Sequence, residues 1–275
     1  MALIKVLPQE WVEDCISNIG GYVKMAKMNM DFFREKPYEQ FVNDGQLIAP
    51  RNVILFFSQV WDRLVKSGVK IISPKKIVWI NGAPGSGKGT NARNIMRTLN
   101  ISLRPIVVSD LLNTDEFKAK IDQGLLVDDL EVTFLVFRRI FEEGAGKNVI
   151  VDGYPRTEIQ AECVRLLQWQ FRDVPLQMVS VVLLVDERTS IQRQLARGQK
   201  AVEYNMKVSG NESEMMEVRQ TDMDPELAHR RYSEFSEKTY RALKLLKKVT
   251  NYHEIDAKGS MVEVRDRISA ALKEK

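Results

Sequence analysis

Two hydrophobic periodicities divide the chain. Up to about residue 72 the apolar positions recur at helical spacing. Trp11, Val12, Cys15, Ile16 and Ile19 line one face of a helix over 9–19. Met25, Met28 and Met30 fall near Phe32 and Phe33, a pattern that fits a packed helical face or a Met-rich partner surface. Gly20-Gly21, Pro37 and Gly45 punctuate the stretch. Pro50 then opens a helix over 52–66, with Val53, Phe56, Phe57, Val60, Trp61 and Leu64 on one side and Ser67-Gly68 at its end. From residue 76 the pattern changes. Short apolar runs at 77–81, 105–109, 148–152, 179–186 and 253–256 alternate with helical stretches. Those stretches cover 91–99, 114–122, 127–143, 157–169, 188–197, 225–249 and 261–273. Strands covered on both faces read as near-continuous apolar runs, so the pattern predicts an α/β fold with a five-stranded parallel sheet and helices on both faces. Residues 1–72 are expected to form a helical extension and 73–275 the α/β domain. The extension is expected to dock on that domain or to form a dimer contact.

Composition narrows the classes. The chain has 275 residues, 44% hydrophobic and 28% charged, which is ordinary for a globular protein. A net charge of +4 gives no general affinity for nucleic acid. The longest uninterrupted apolar runs, 181–185 and the equally long 53–57, are far short of a membrane span. The start, MALIKVLPQEW, is too short in apolar residues for a signal peptide. No nucleic-acid or membrane partner is expected; the cytoplasm is the default compartment, with an organelle left open. Cys15 and Cys163 stand in no metal-ligand spacing, so no structural zinc is expected.

Ligands of a parallel sheet bind at the carboxyl ends of its strands, so chemistry is sought in the loops after the five runs. The first is the most explicit. KIVWINGAPGSGKGT, residues 76–90, runs from a strand into a glycine-rich loop and on to a helix. Gly82, Gly85, Gly87 and Gly89 let the backbone N–H groups converge, and Lys88 adds a point charge. This is an anion cradle suited to a polyphosphate (a phosphate-binding P-loop). Gly89 stands where the generic motif has a hydroxyl, and Thr90 follows it. After the third run comes Asp152-Gly153-Tyr154-Pro155-Arg156-Thr157. A carboxylate at a strand end beside a phosphate loop suits Mg²⁺ held through water, and Arg156 offers a planar fork for phosphate oxygens. The plain reading is a capping Asp and a surface Arg. After the fourth run, Arg193 and Arg197 share a helix face, a polar stretch follows over 199–217, and then Arg219, Asp222, Arg230 and Arg231. Arginines flanking such an insertion suit a closing lid that spreads positive charge over a transferring phosphoryl group.

Together these residues resemble the adenylate kinase family of nucleoside monophosphate kinases. The likeness rests on Gly82-Ala83-Pro84-Gly85-Ser86-Gly87-Lys88-Gly89-Thr90, with Gly before Thr, and on Asp152 to Thr157 with Gln160 following. Leu111-Leu112, Gly124, Val127 and Asp129 resemble the segment around the monophosphate site. Arg193, Arg197, Arg219, Asp222, Arg231, Phe235 and Thr239 resemble the lid borders. The likeness covers roughly residues 76–275. It implies a P-loop fold with a monophosphate-binding segment at about 108–143 and a lid at about 198–222.

The resemblance also implies roles. The loop 82–90 would hold the β-phosphate of ATP, with Lys88 on the γ-phosphate. Asp152 would position Mg²⁺ through water. Ser109, Asp110, Val127, Gly153, Arg156 and Gln160 would form the monophosphate site, with Gln160 on the base. Arg193 would lie over the ATP adenine, and the backbone at Lys258 and Gly259 would touch its edge. Arg197, Arg219 and Arg231 would hold phosphate, with Arg230 as the alternative to Arg231. The family usually has Thr-Gly-Asp-Leu-Leu-Arg where this chain has Val108-Ser109-Asp110-Leu111-Leu112-Asn113. The expected activity is reversible, Mg²⁺-dependent phosphoryl transfer from ATP to AMP. The alternatives are CMP or UMP as acceptor, or a nucleotide-binding module without turnover.

Overall fold

The computed structural model describes residues 41–43, 46–113, 117, 128–208 and 215–273. The helix expected at 9–19, the Met cluster at 25–30, nearly all of the stretch 114–122, and Gly124 and Val127 lie outside the described residues.

A short antiparallel pair, β1 (Val42–Asn43) and β2 (Gln46–Leu47), leads into α1 (Arg51–Lys66). Val53, Ile54, Phe57, Val60, Trp61 and Leu64 turn to one side of α1 and are buried there. That side packs on α4 (Asp129–Gly144) and α5 (Glu158–Gln170). Phe57 stacks on Trp61 with ring centroids 5.5 Å apart, and Trp61 meets Phe141 and Phe171 edge-on or tilted. Burial of each such ring contributes roughly 2–3 kcal/mol. The apolar face of α1 is thus part of the same core as the sheet.

The sheet has five parallel strands in the order β4-β5-β3-β6-β7. These are β3 (Lys76–Gly82), β4 (Ile106–Val107), β5 (Asn148–Asp152), β6 (Gln177–Leu184) and β7 (Asn251–Asp256). The central strand β3 is buried from Ile77 to Gly82. Ile80 pairs with Asp152, and Gly82 with Leu183, so the carboxyl ends of three strands stop at one level. The loops that follow share one rim. Helices cover the sheet: α2 (Lys88–Thr98) packs on β3 and β5, and α9 (Met261–Lys273) on α2 and β7.

Three elements differ from their sequence patterns. The strand expected over 105–109 shortens to β4, because Val108 starts a four-residue helix, α3 (Val108–Leu111), and is buried at 2% exposure. The helix expected over 188–197 is α6 (Glu187–Lys207), which runs straight through Gly198 and takes up half of the supposed irregular insertion. Residues 220–222 lie against α6 at Gly198, where a side chain would collide, so a tertiary contact overrides the usual helix-breaking tendency of glycine. The single helix expected over 225–249 is α7 (Pro225–Glu234), a π turn over Phe235–Thr239, α8 (Tyr240–Leu245) and a final 3₁₀ turn. The π turn buries Phe235 between the rings of Tyr232 and Tyr240.

Candidate active site

The phosphate loop is tied to β6 and α6 by backbone and side-chain hydrogen bonds. Ala83 N–H donates to Leu183 O at 3.0 Å, tying the loop to β6. Gly85 has φ +70°, and a Cβ there would lie 2.8 Å from Ser190 O of α6. Only glycine fits both the left-handed backbone and that approach. Ser190 Oγ donates to Pro84 O at 2.7 Å, a second tie between the loop and α6. The Lys88 ammonium turns back under the loop and donates to Gly82 O at 2.9 Å and Ala83 O at 3.1 Å. The residue as a whole keeps some exposure, but its ammonium is enclosed. Desolvation, only partly offset by Asp152, lowers its pKa to about 8. A buried cation with a depressed pKa is poised to take an anion in exchange for two carbonyls.

Asp152 ends β5 and is 9% exposed. Burial raises its pKa, while Lys88 and Arg156 pull it back down. It offers a hard oxygen donor between two cations and the phosphate loop, which fits Mg²⁺ held through water. Arg156 keeps exposed surface, but its Nε donates to Gly153 O at 2.8 Å and partial desolvation of the guanidinium lowers its pKa. Tyr154 anchors the same loop. It is fully buried, packs on Trp79 and Phe137, and donates from its hydroxyl to Thr133 Oγ1 at 3.2 Å. Asn81 Nδ2 adds a bond to Pro155 O at 3.1 Å.

Thr157 caps α5 and accepts from Gln160 N–H. Gln160 completes a variant capping box, its Oε1 accepting from the backbone N–H of Arg156 rather than of Thr157. Gln160 is 4% exposed, and its Nε2 donates to Asp129 Oδ1 at 2.7 Å. Ser109 and Asp110 lie exposed on α3, and Asp110 is close enough to act electrostatically on Asp152 and Arg219. Asn113 is exposed just beyond α3.

Further arginines converge from α6, α7 and the segment 215–222. Arg197 makes a two-point contact with Asp222, and Arg231 Nη1 donates to Thr221 Oγ1 at 3.1 Å. Burial, then the neighbouring charges of Arg197 and Arg219, lower the Arg231 pKa. Arg219 is held by Glu217, and that hydrogen bond raises its pKa. The charges of Arg156, Arg231 and Arg197 reach Lys88, and those of Arg197, Arg219 and Arg156 reach Arg231. Arg230, one position before Arg231, is exposed. Of the two, Arg231 joins the cluster.

Arg193 bridges the phosphate loop to the segment after β7. Its guanidinium donates to Ala257 O at 2.9 Å and Gly259 O at 3.3 Å. It borders a cavity of about 220 Å³ with Gly85, Gly87, Ala257, Gly259 and Met261, next to the loop's outer side. Lys258 is anchored by its backbone N–H on Asp256 Oδ1. Lys88 and Arg156 thus present two cationic side chains at the ends of neighbouring strands, on one rim of the sheet.

The sequence reading gives no role to Ser190 or Gln194, and places Asp129 only by resemblance, in the segment around the monophosphate site. Asp129 had a signal: Asp128 already caps α4, accepting from Glu131 N–H at 2.7 Å, so the second Asp of the pair is spare. Ser190 and Gln194 had one too, being polar residues on the buried side of a helix.

Residues 81–208 match the family model of an AAA domain. The chain is 31% identical over 198 residues to the adenylate kinase of Bartonella bacilliformis, covering 70% of this chain and 96% of the relative. It is 31% identical over 195 residues to the adenylate kinase of a Chelativorans species, covering 66% of this chain and 94% of the relative. The adenylate kinase of Mesorhizobium japonicum is 32% identical over 195 residues, with 92% of that relative covered.

Proposed function

Because the chain belongs to the adenylate kinase family, and so is a phosphotransferase of the nucleoside monophosphate kinase class, we propose that it moves the γ-phosphoryl group of Mg–ATP reversibly to AMP. The observation that carries this reading is the convergence of Lys88, Asp152 and Arg156 at the ends of two adjacent strands. One cation then serves the donor phosphates and the other the acceptor phosphate. The loop 82–90 would wrap the donor phosphates, with Lys88 leaving its two carbonyls for the γ-phosphate. Arg193, Lys258 and Gly259 would border the donor base. Arg156, with Gly153, would hold the acceptor phosphate beside Ser109 and Asp110, and Gln160 would read the acceptor base. Arg197, Arg219 and Arg231 would close over the transferring group.

The acceptor phosphate is already anionic near neutral pH, so it attacks without a general base. The reaction is then positioning plus charge stabilisation. Mg²⁺ would arrive with the nucleotide, neutralise phosphate charge, and be oriented by Asp152 through water. Residues 1–72 are proposed as a helical layer docked on the domain 73–275, with 198–222 as the lid. No described helix is long and apolar enough to cross a membrane. Action in the cytoplasm is part of the proposal.

Val108 and Asn113 favour a second reading, in which CMP or UMP is the better acceptor. Loss of one charged contact costs about 1.5–3 kcal/mol of acceptor binding. A coupled assay with AMP, CMP, UMP and GMP as acceptors tests both. Transfer with AMP preferred is the expected result. A large preference for a pyrimidine moves the assignment to the second reading, and no transfer to any of the four rejects both.

A further inference from the structure

Both ends of the Gln160 amide are taken. Nε2 donates to Asp129 Oδ1 at 2.7 Å, and Oε1 accepts from Arg156 N–H at 2.8 Å. These partners allow one orientation only. A carboxylate accepts and a backbone N–H donates, so a reversed amide would face two like groups at 4% exposure. Asp129 is itself held, its Oδ2 accepting from the Thr157 hydroxyl at 2.9 Å. The helix start does not need it, since Asp128 is the cap. Each amide atom keeps one free valence, a second N–H on Nε2 and a second lone pair on Oε1.

We propose that Asp129 is a specificity-determining positioning residue. By fixing which end of the Gln160 amide donates, it separates acceptor bases with an exocyclic amino group from those with an oxo group at that position. The proposal rests on Gln160 reading the acceptor base. Adenine and cytosine present a ring-nitrogen acceptor beside an amino donor. Guanine and uracil present a ring N–H donor beside a carbonyl acceptor. The two edges are opposite patterns, and a primary amide matches either one by turning over. An amide that cannot turn over matches one of them and sets two repelling contacts against the other. A carboxylate that never touches the base thereby sets the choice.

The test compares kcat/KM for AMP, CMP, GMP and UMP, with ATP as donor, in the wild type and in Asp129→Asn. Asparagine keeps the shape but both donates and accepts, so the carboxylate's half of the constraint on Gln160 is lost and only the Arg156 N–H still favours one orientation. The ratio of amino to oxo acceptors is expected to fall about tenfold. The change should sit in the acceptor KM and leave the KM for ATP alone. Asp129→Glu, which only accepts, should keep most of the ratio. If Asp129→Asn melts too readily to assay, Asp129→Ser, too short to reach Gln160, should show the same fall. An unchanged ratio in a folded, active variant overturns the proposal. So does a wild type that uses all four acceptors equally, although phosphoryl transfer then stands. A wild type that phosphorylates none of them instead removes the functional reading beneath it.

Discussion

Arg197 and Asp222 meet as a guanidinium fork on a carboxylate, Nε to Oδ2 at 2.7 Å and Nη2 to Oδ1 at 2.6 Å. Asp222 is 3% exposed and also lies 3.6 Å from Arg231 Nη1. One carboxylate thus holds two of the proposed phosphate-clamping arginines. Gly198 makes the approach feasible, because a Cβ at that position would lie 2.2 Å from Asp222 O.

Removing that carboxylate should cost both stability and rate. Losing one partner of a buried pair leaves the other uncompensated, but Arg197 keeps 44% side-chain exposure, which screens much of the penalty. Asp222→Ala is expected to destabilise by about 1–2 kcal/mol in a urea melt. It should also lower kcat, since Arg197 and Arg231 lose their shared anchor. Unchanged stability and kcat would mean that the pair contributes nothing.

Lys88 makes a pH prediction with a definite sign. A lysine whose folded pKa lies below its unfolded value binds fewer protons when folded. Below pH 8 both states are protonated, and the buried charge exerts its full cost. Between about 8 and the ordinary 10.5 the unfolded chain holds the extra proton, so stability of the ligand-free protein rises with pH. The relief amounts to about 3 kcal/mol across the window. Lys88→Met should remove this rise and stabilise the ligand-free protein at pH 7, while lowering kcat by roughly 10²–10³. ATP affinity of the wild type should weaken as pH passes 8, and that of Lys88→Met should not. Chemical melts and ATP titrations from pH 7 to 10 check both.

The two adjacent arginines of α7 should behave differently. Arg231 faces Thr221 and Asp222, and Arg230 is exposed. Arg231→Ala is expected to reduce kcat by roughly 10²–10³ with little change in either KM. Arg230→Ala should stay within about twofold of the wild type. Equal losses in steady-state kinetics would contradict the assignment.

The phosphate loop and the Asp152 loop were legible because their backbones are dictated by local sequence. A buried strand, closely spaced glycines and a helix start leave few alternatives around Lys88, and Thr157 with Gln160 marks a helix start by itself. What was not legible depends on contacts between distant segments. Gly198 reads as a helix end until Asp222 is seen lying against it. Arg230 and Arg231 are indistinguishable by type, and only the packing of α7 on α6 and the 220–222 turn separates them. Asp129 belongs by resemblance to the monophosphate segment, but its hold on Gln160 emerges only when α5 brings Thr157 and Gln160 beside it.

Trp61 tests how firmly α1 belongs to the catalytic domain. It is 1% exposed and touches Phe57, Phe141 and Phe171. Trp61→Ala is expected to destabilise by about 3–5 kcal/mol. A truncation beginning at Ser73 should expose the same aromatic surface and melt earlier or aggregate. If the truncated protein is monomeric and melts with the full chain, α1 contributes nothing to that core.

Gln194 is the opposite case, a buried side chain whose removal should help. It is fully buried, and its Oε1 meets no donor among the described residues. Its Nε2 makes only long contacts, 3.3 Å to Ser190 Oγ and 3.4 Å to Ala228 O. An unsatisfied buried acceptor costs about 1–3 kcal/mol, and two bonds of that length recover only part of it. Methionine has nearly the same volume and flexibility and no polar atom that demands a partner. Gln194→Met is therefore expected to stabilise by about 1 kcal/mol, a rise of about 2–4 °C in Tm. Ser190 keeps its bond to Pro84 in that variant, so the KM for ATP should stay within about twofold. Gln194→Ala removes the same polar atoms but leaves a void, and it should melt below Gln194→Met by the cavity cost. A fall in Tm for Gln194→Met would show that Oε1 has a partner worth keeping, and that the amide bridges α6, the phosphate loop and α7 as a working unit.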